Sequence, residues 1–319
     1  MNTLLFAVIA LTLIILILLK PRRRGKPHNR YFAALNTQLQ DINLFRPAIL
    51  LDLDALDQNI VHLKQMLNRN AAYRIPVKSL PCIELIDYVM RQSGSNKLMV
   101  FHQPFLTLVA QHFPRSDVLF GKPMPVGAAR VFYQTFDDAS SFVPCKQLQW
   151  LIDTQERLEQ YLALAIELKQ TMRVNIEIDV GLHRGGLLEP ESLNAVLDVI
   201  DANSDYLVFS GFMGYDPHVV KLPGFIKSKS VAYQESQARY QAFIEVAKSH
   251  KANIDIDQLC LNGAGSPTLE LHRNQTVCND LTAGSCLVKP SDFDIETLSA
   301  MHAATFISTP VLKCRPGTW

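Results

Sequence analysis

Short β-branched and apolar runs alternate along this chain with longer amphipathic stretches, and that alternation most limits what it can fold into. Candidate strands are Ile49–Leu53, Arg74–Lys78, Leu98–Phe101, Val118–Phe120, Gln149–Ile152, Val174–Asp179, Leu207–Met213 and Gln258–Leu261. Between them lie helical patterns such as Leu56–Leu67, Ile83–Arg91, Gln155–Lys169, Glu191–Ala202 and Val231–Ser249. Apolar residues at helical spacing bury one face of a helix, and near-continuous apolar runs suit strands covered on both faces. Eight such strands with helices between them predict an α/β fold, a parallel sheet closed into a (β/α)8 TIM-type barrel. A doubly wound open sheet is the fallback, but no G-x-G-x-x-G follows the first strand.

At 319 residues and 48% apolar content the chain can bury a large core. The net charge of +1 hides an asymmetry. Residues 1–30 hold six Lys/Arg and no acid, leaving 25 basic against 30 acidic residues in the rest. A body of that sign, with no basic stripe interleaved with aromatics, is not a nucleic-acid binder. Thr3–Leu19 is an unbroken run of apolar residues and threonines, and seventeen residues at helical rise span roughly 26 Å. Lys20, Arg22, Arg23, Arg24 and Lys26 follow at once. The expectation is a single-pass transmembrane anchor over 1–20 with everything after it in the cytoplasm. A cleaved signal peptide would need a charged n-region and a small-residue cleavage site, and neither is present. The six cysteines form no CxxC pair and match no zinc spacing with histidine, so they read as reduced thiols.

Barrel chemistry sits at the carboxyl ends of the strands. The first strand ends in Asp52-Leu53-Asp54 and the second in Lys78. The sixth runs into Asp179-Val-Gly-Leu-His183-Arg184-Gly-Gly186, the seventh into Gly214-Tyr215-Asp216-Pro-His218, and the eighth into Asn262-Gly263-Ala264-Gly265-Ser266-Pro267-Thr268. Lys78 ends an apolar run. It reads either as an exposed strand cap or as a desolvated amine of lowered pKa that can condense with an aldehyde. The 263–268 loop offers small residues, backbone N–H groups and two hydroxyls to a phosphate. A phosphate cradle facing a strand-end lysine is what a pyridoxal phosphate site requires. Arg184 reads either as a donor to an anionic oxygen or as the ion-pair partner of Asp179 or a neighbouring carboxylate. Tyr215 suits ring stacking or proton relay. His183 suits a turn, and His218 a polar loop.

Five ordered motifs resemble the alanine racemase-type, fold-type III pyridoxal phosphate enzymes. They are Ile49–Asn59, Arg74-Ile-Pro-Val-Lys78-Ser79, Asn175–Gly186, Gly211–His218 and Asn262–Thr268. The Asn175–Gly186 stretch is similar to the signature of the D-threonine aldolase and D-serine dehydratase branch. The resemblance spans roughly residues 45–312. It implies that Lys78 holds pyridoxal 5'-phosphate covalently and moves protons at Cα, and that Arg184 sits near the cofactor's phenolic oxygen. It also implies that Tyr215 stacks on the ring and that Gly263, Gly265, Ser266 and Thr268 hold the phosphate. Lys78 and Tyr215 are then the catalytic pair.

Two departures stand out. Gly284-Ser285-Cys286 replaces a motif that carries Tyr in many relatives. No residue here can be assigned to the branch's divalent-metal site, whose ligands lie further on in relatives. The expected organisation is an anchor over 1–20, a basic linker and lead-in over 21–44 and a cofactor-binding barrel over 45–280. An incomplete, β-rich second domain then begins at 281–319. The implied activity is that of a lyase acting at Cα of a small D-amino acid, by aldol cleavage or dehydration. A racemase on the same scaffold and a non-catalytic cofactor-binding protein are the alternatives, with a cofactor-free hydrolase using Asp179 and His183 a third. A homodimer fits the family.

Overall fold

The computed structural model describes residues 2–19, 28–80, 82–136, 140–222, 224, 226–250 and 254–312. Its strands are β1 (Ala48–Leu51), β2 (Ala72–Pro76), β3 (Lys97–Val100), β4 (Asp117–Phe120), β5 (Leu148–Ile152), β6 (Met172–Glu177), β7 (Leu207–Met213), β8 (Cys260–Gly263), β9 (Asp280–Thr282) and β10 (Thr305–Ser308). Strands β2 to β9 form a closed eight-stranded barrel in chain order, every neighbouring pair parallel. The barrel expected from the alternation is therefore present, but its membership differs at both ends.

The run expected as the first barrel strand is β1, which pairs with β10 in a separate two-stranded sheet. Asp52 is no rim residue. Its carboxylate accepts from Ala55 N–H at 2.9 Å and caps the helix Leu53–Met66. The strand that closes the barrel, β9, has a single apolar residue, Leu281, between Asp280 and Thr282. Its polarity has a cause inside the barrel, where Arg74 from β2 is fully buried. Arg74 Nε donates to Asp280 Oδ1 at 2.8 Å and Nη2 to Asp280 Oδ2 at 2.9 Å, and Nη2 also reaches Asp117 Oδ1 at 2.6 Å. Nη1 donates to the carbonyls of Leu98 and Asp117, so the whole guanidinium fork is used. Lys97 Nζ adds a further contact to Asp280 at 3.2 Å.

Two compact units divide the chain, one formed by Leu51–Thr305 and the other by residues 1–50 with 306–319. In the first, the segment after β9 packs as part of the barrel rather than opening a second domain at 281. Asn59 of the helix Leu53–Met66 donates to the carbonyls of Leu287 (2.8 Å) and His302 (2.7 Å) and accepts from His302 N–H. Leu287, Leu298, Met301 and Ala304 are buried. In the second unit the helix Arg30–Asp41, capped by Asn29, occupies much of what reads in sequence as a linker. Its Phe32 meets Phe306 edge-on at 5.4 Å.

The apolar N-terminal run is a helix, Asn2–Leu19, and its described apolar side chains, Leu11 and Ile17 among them, are exposed. Among the described residues no helix is long and apolar enough to cross a membrane, so the expected transmembrane span is not supported by the described part of this helix. The basic cluster from Lys20 to Lys26 and the tail containing Cys314 lie outside the described residues. The other five cysteines are free thiols.

Removing one partner of a buried pair strands the other charge, at about 3–5 kcal/mol. Arg74 keeps Asp117 in Asp280→Asn, so stability at pH 7 should fall by less than that, about 1–3 kcal/mol in urea unfolding. Burial alone would raise the Asp280 carboxyl, but Arg74, then Lys97, outweighs it and holds it below its usual value. The pair's contribution is then complete above the ordinary carboxylate range and is lost as pH falls through and below it. Acid unfolding of Asp280→Asn should accordingly be less steep than that of the wild type.

Candidate active site

The carboxyl ends of the barrel strands surround a cleft lined by residues that include Lys78, Arg184, Tyr215, Ser266 and Ser285. Lys78 stands in the 3-10 turn Val77–Ser79 that follows β2, with Nζ 4.1 Å from the centre of the Phe101 ring. Burial, then the nearby charges of Lys122 and Arg184, lower the Lys78 ammonium pKa, so its neutral amine is more populated than that of an ordinary lysine. The ring face of Phe101 steadies the head group without a competing carboxylate.

Arg184 reaches the cleft on a loop that folds back onto the end of β6. Leu187 N–H donates to the Glu177 carbonyl and Asp179 N–H to the Leu187 carbonyl, both at 2.9 Å. Arg184 Nη2 donates to Glu177 Oε1 at 2.7 Å, and the guanidinium lies 5.0 Å from the Tyr215 ring centre. Of the two ion-pair partners the sequence suggests, the neighbouring carboxylate is the one used. Asp179 instead accepts from the N–H groups of Gly181 and His183 and from His183 Nδ1 at 2.7 Å. Neither Asp179 nor the largely exposed His183 is among the residues that line the cleft. His218 is likewise not in the cleft lining. Burial raises the Tyr215 pKa against the opposing effect of Arg184, so its phenol stays protonated at neutral pH.

The 263–268 loop divides into residues that face the cleft and residues that hold its shape. Gly265 and Ser266 line it, and Gly263 and Thr268 do not. A Cβ on Gly263 would stand 2.4 Å from Cys278 Sγ, so this glycine permits close packing there. A Cβ on Gly265 would stand 2.7 Å from Tyr215 Cε2, which lets that ring lie against the turn. Thr268 is fully buried. Its hydroxyl donates to Asp216 Oδ1 at 2.7 Å and accepts from Gly265 N–H at 3.1 Å, so it has no proton left for a ligand.

Ser266 Oγ accepts from the N–H groups of Gly284 and Cys286, each at 3.0 Å. Both lone pairs are thus taken, and the hydroxyl proton remains to be donated into the cleft. Among the described residues the Ser266 and Ser285 N–H groups have no acceptor. Ser285 Oγ lies 3.2 Å from Ser79 Oγ, so these two hydroxyls flank the same end of the cleft. These donors fit a phosphate, and Lys78 across the cleft fits an aldehyde. Sequence reasoning missed Glu177, Phe101 and Lys122 as members of this group. It registered Ser285 only as the replacement of an expected motif. None of the four carries a spacing signal, because each acts through its place at the strand ends. Among the described residues no group of three or more His, Cys, Asp or Glu is arranged to hold a metal.

The sequence profile described as "Alanine racemase, N-terminal domain" matches residues 51–292. The chain belongs to the alanine racemase N-terminal domain family. Three solved structures share this alanine racemase-type fold. D-threonine aldolase from Filomicrobium marinum has a TM-score of 0.65 at 17% identity, covering 82% of this chain and 68% of that one. Alanine racemase from E. faecalis has a TM-score of 0.63 at 15% identity, covering 82% and 66%. D-threo-3-hydroxyaspartate dehydratase from a Delftia species has a TM-score of 0.58 at 17% identity, covering 76% and 61%. The chain thus spans about two thirds of the length of these structures. No curated protein sequence matches it. The family's cofactor is pyridoxal 5'-phosphate, and the lysine, the serine cradle and the arginine present here fit that group.

Burial and then the charges around Lys78 set its reactivity in the apoprotein. Modification of Lys78 as a function of pH, followed by mass spectrometry, should give a midpoint below that of ordinary lysines. Lys122→Gln and Arg184→Gln should each move the midpoint upward, and a wild-type midpoint at the ordinary lysine value would contradict the assignment.

Proposed function

We propose that this protein is a pyridoxal phosphate-dependent lyase that acts at Cα of a small D-β-hydroxy amino acid, by aldol cleavage or by loss of water. The observation that carries the reading is Lys78, an amine of lowered pKa, facing a serine cradle and the Arg184–Tyr215 pair across one cleft. When bound, the cofactor supplies an aldehyde for the amino group and a ring that withdraws electrons from Cα. The chain's own residues bind and orient. Ser266 and Ser285 would hold the phosphate through their donors, and Arg184, its charge balanced by Glu177, would present its remaining N–H groups to an anionic oxygen. Lys78 Nζ is the group placed to take or return a proton at Cα. Tyr215 offers a neutral ring face and a hydroxyl proton. The aldolase and dehydratase choice over racemisation rests on the likeness of Asn175–Gly186 to that branch.

The same reading places the protein at a membrane, tethered through the helix Asn2–Leu19 with the barrel in the cytoplasm, and pairs it as a homodimer. The support is the exposed apolar surface of that helix and of Ile49, Leu51 and Ile307 on the two-stranded sheet. Sedimentation of the detergent-extracted protein showing a compact monomer would overturn the dimer, and release by a salt wash would overturn the tether.

The function is tested with the full chain, pyridoxal phosphate and borohydride. A reduced adduct mapping to Lys78 and absent from Lys78→Ala is expected, with turnover falling by about 10²–10⁴-fold in the variant. D-threonine should give glycine and acetaldehyde, or D-serine should give pyruvate and ammonia. Inversion of alanine without cleavage would make the protein a racemase, and an adduct without any turnover would make it a binding protein.

A further inference from the structure

Behind the cleft lies a buried acid–base pair that none of the roles above uses. His272 Nε2 meets Asp216 Oδ2 at 2.8 Å, and both side chains are almost wholly withdrawn from solvent. The other carboxylate oxygen of Asp216 accepts from the Thr268 hydroxyl at 2.7 Å, and that hydroxyl accepts from Gly265 N–H. On the far side, His272 Nδ1 lies 2.8 Å from Thr276 Oγ1, and the Tyr233 ring meets the imidazole edge-on. One unbroken line of hydrogen bonds therefore runs from Thr276 through His272, Asp216 and Thr268 to the backbone of Gly265.

The two ends of this line matter to the cleft. Asp216 directly follows Tyr215, and Gly265 directly precedes Ser266. Asp216, Thr268 and His272 do not themselves face the cleft, while Tyr215, Gly265 and Ser266 do. Burial would push the Asp216 carboxyl up, but His272, then Thr268 and His218, outweigh it and hold it low, so the carboxylate remains an acceptor. An apolar pair of similar size could fill the same space without the desolvation cost of two polar groups. What an apolar pair could not supply is an acceptor that orients the Thr268 hydroxyl, and through it the peptide of Gly265.

We propose that Asp216, held by His272 and acting through Thr268, is a positioning residue that fixes the Gly265–Ser266 turn as a phosphate receptor. This rests on the pyridoxal phosphate reading and adds to it the residues that shape its phosphate end. Asp216 and Thr268 line no part of the cleft in which Lys78 stands. Their loss should therefore be felt by the phosphate and not by the aldehyde.

The test compares two probes on the full chain, pyridoxal phosphate and pyridoxal, which lacks the phosphate. The dissociation constant of each is read from the visible absorption of its adduct. In Thr268→Val and in Asp216→Asn, the preference for pyridoxal phosphate over pyridoxal should fall by about tenfold, with pyridoxal affinity within about twofold of wild type. Ser266→Ala, which removes a direct donor, should lower the same preference and serves as the reference. Equal weakening of both probes, or no change in either, would mean a purely structural role and overturn the proposal. A wild-type chain that forms no adduct with either probe would overturn the cofactor reading itself, and this assignment with it.

Discussion

The guanidinium of Arg74 is the interaction around which the barrel closes. It rises from the first barrel strand, β2, and binds Asp280 on the last, β9, and Asp117 on β4. A strand as short and polar as β9 has little apolar surface of its own to bring to a core. The bidentate pair offsets that deficit, because without Asp280 the buried Arg74 would keep only Asp117 as a carboxylate partner. The same carboxylate accepts from Asn262, whose amide also donates to Thr282 on the floor of the cleft. The interior is therefore a graded stack, ionic below, neutral and polar at the floor, and open at the mouth where Lys78 and Arg184 stand.

Around the mouth the electrostatic pattern is uneven by construction. Three cations, Lys78, Lys122 and Arg184, gather there, and among the described residues only Arg184 has a carboxylate partner, Glu177. The unpaired ammonium of Lys78 is the one whose pKa falls. A cleft of that balance favours ligands carrying phosphate and carboxylate, and it keeps its amine nucleophilic in the same stroke.

Much of this was legible in the residues. Seven of the eight barrel strands lie within a few positions of the apolar runs that mark them, because strands buried on both faces must be apolar. Arg184 and Lys78 were legible as strand-end residues. The place of β1 outside the barrel and the existence of β9 were not. The apolar run at 48–51 reads like a barrel strand but alternates between exposed and half-buried side chains in a small separate sheet. β9 is hidden because its polar residues are partners for Arg74, a pairing across 206 positions that no local pattern carries. The 263–268 loop was legible as a loop of donors, but not its division of labour. Thr268 and Ser266 look alike in sequence, and only their neighbours in space make one a brace and the other a donor.

Ser266 Oγ holds the N–H groups of Gly284 and Cys286, so the phosphate end of the cleft is built from the turn after β8 and the turn after β9 together. Lys78, by contrast, follows the first barrel strand. On a chain emerging from the ribosome, the reactive amine is thus made long before the residues that complete its cradle. Anything that reads the cradle as well as the amine is reading a finished ring. The cradle's donors are complete only when β8 and β9 have both joined the ring, however early Lys78 is made.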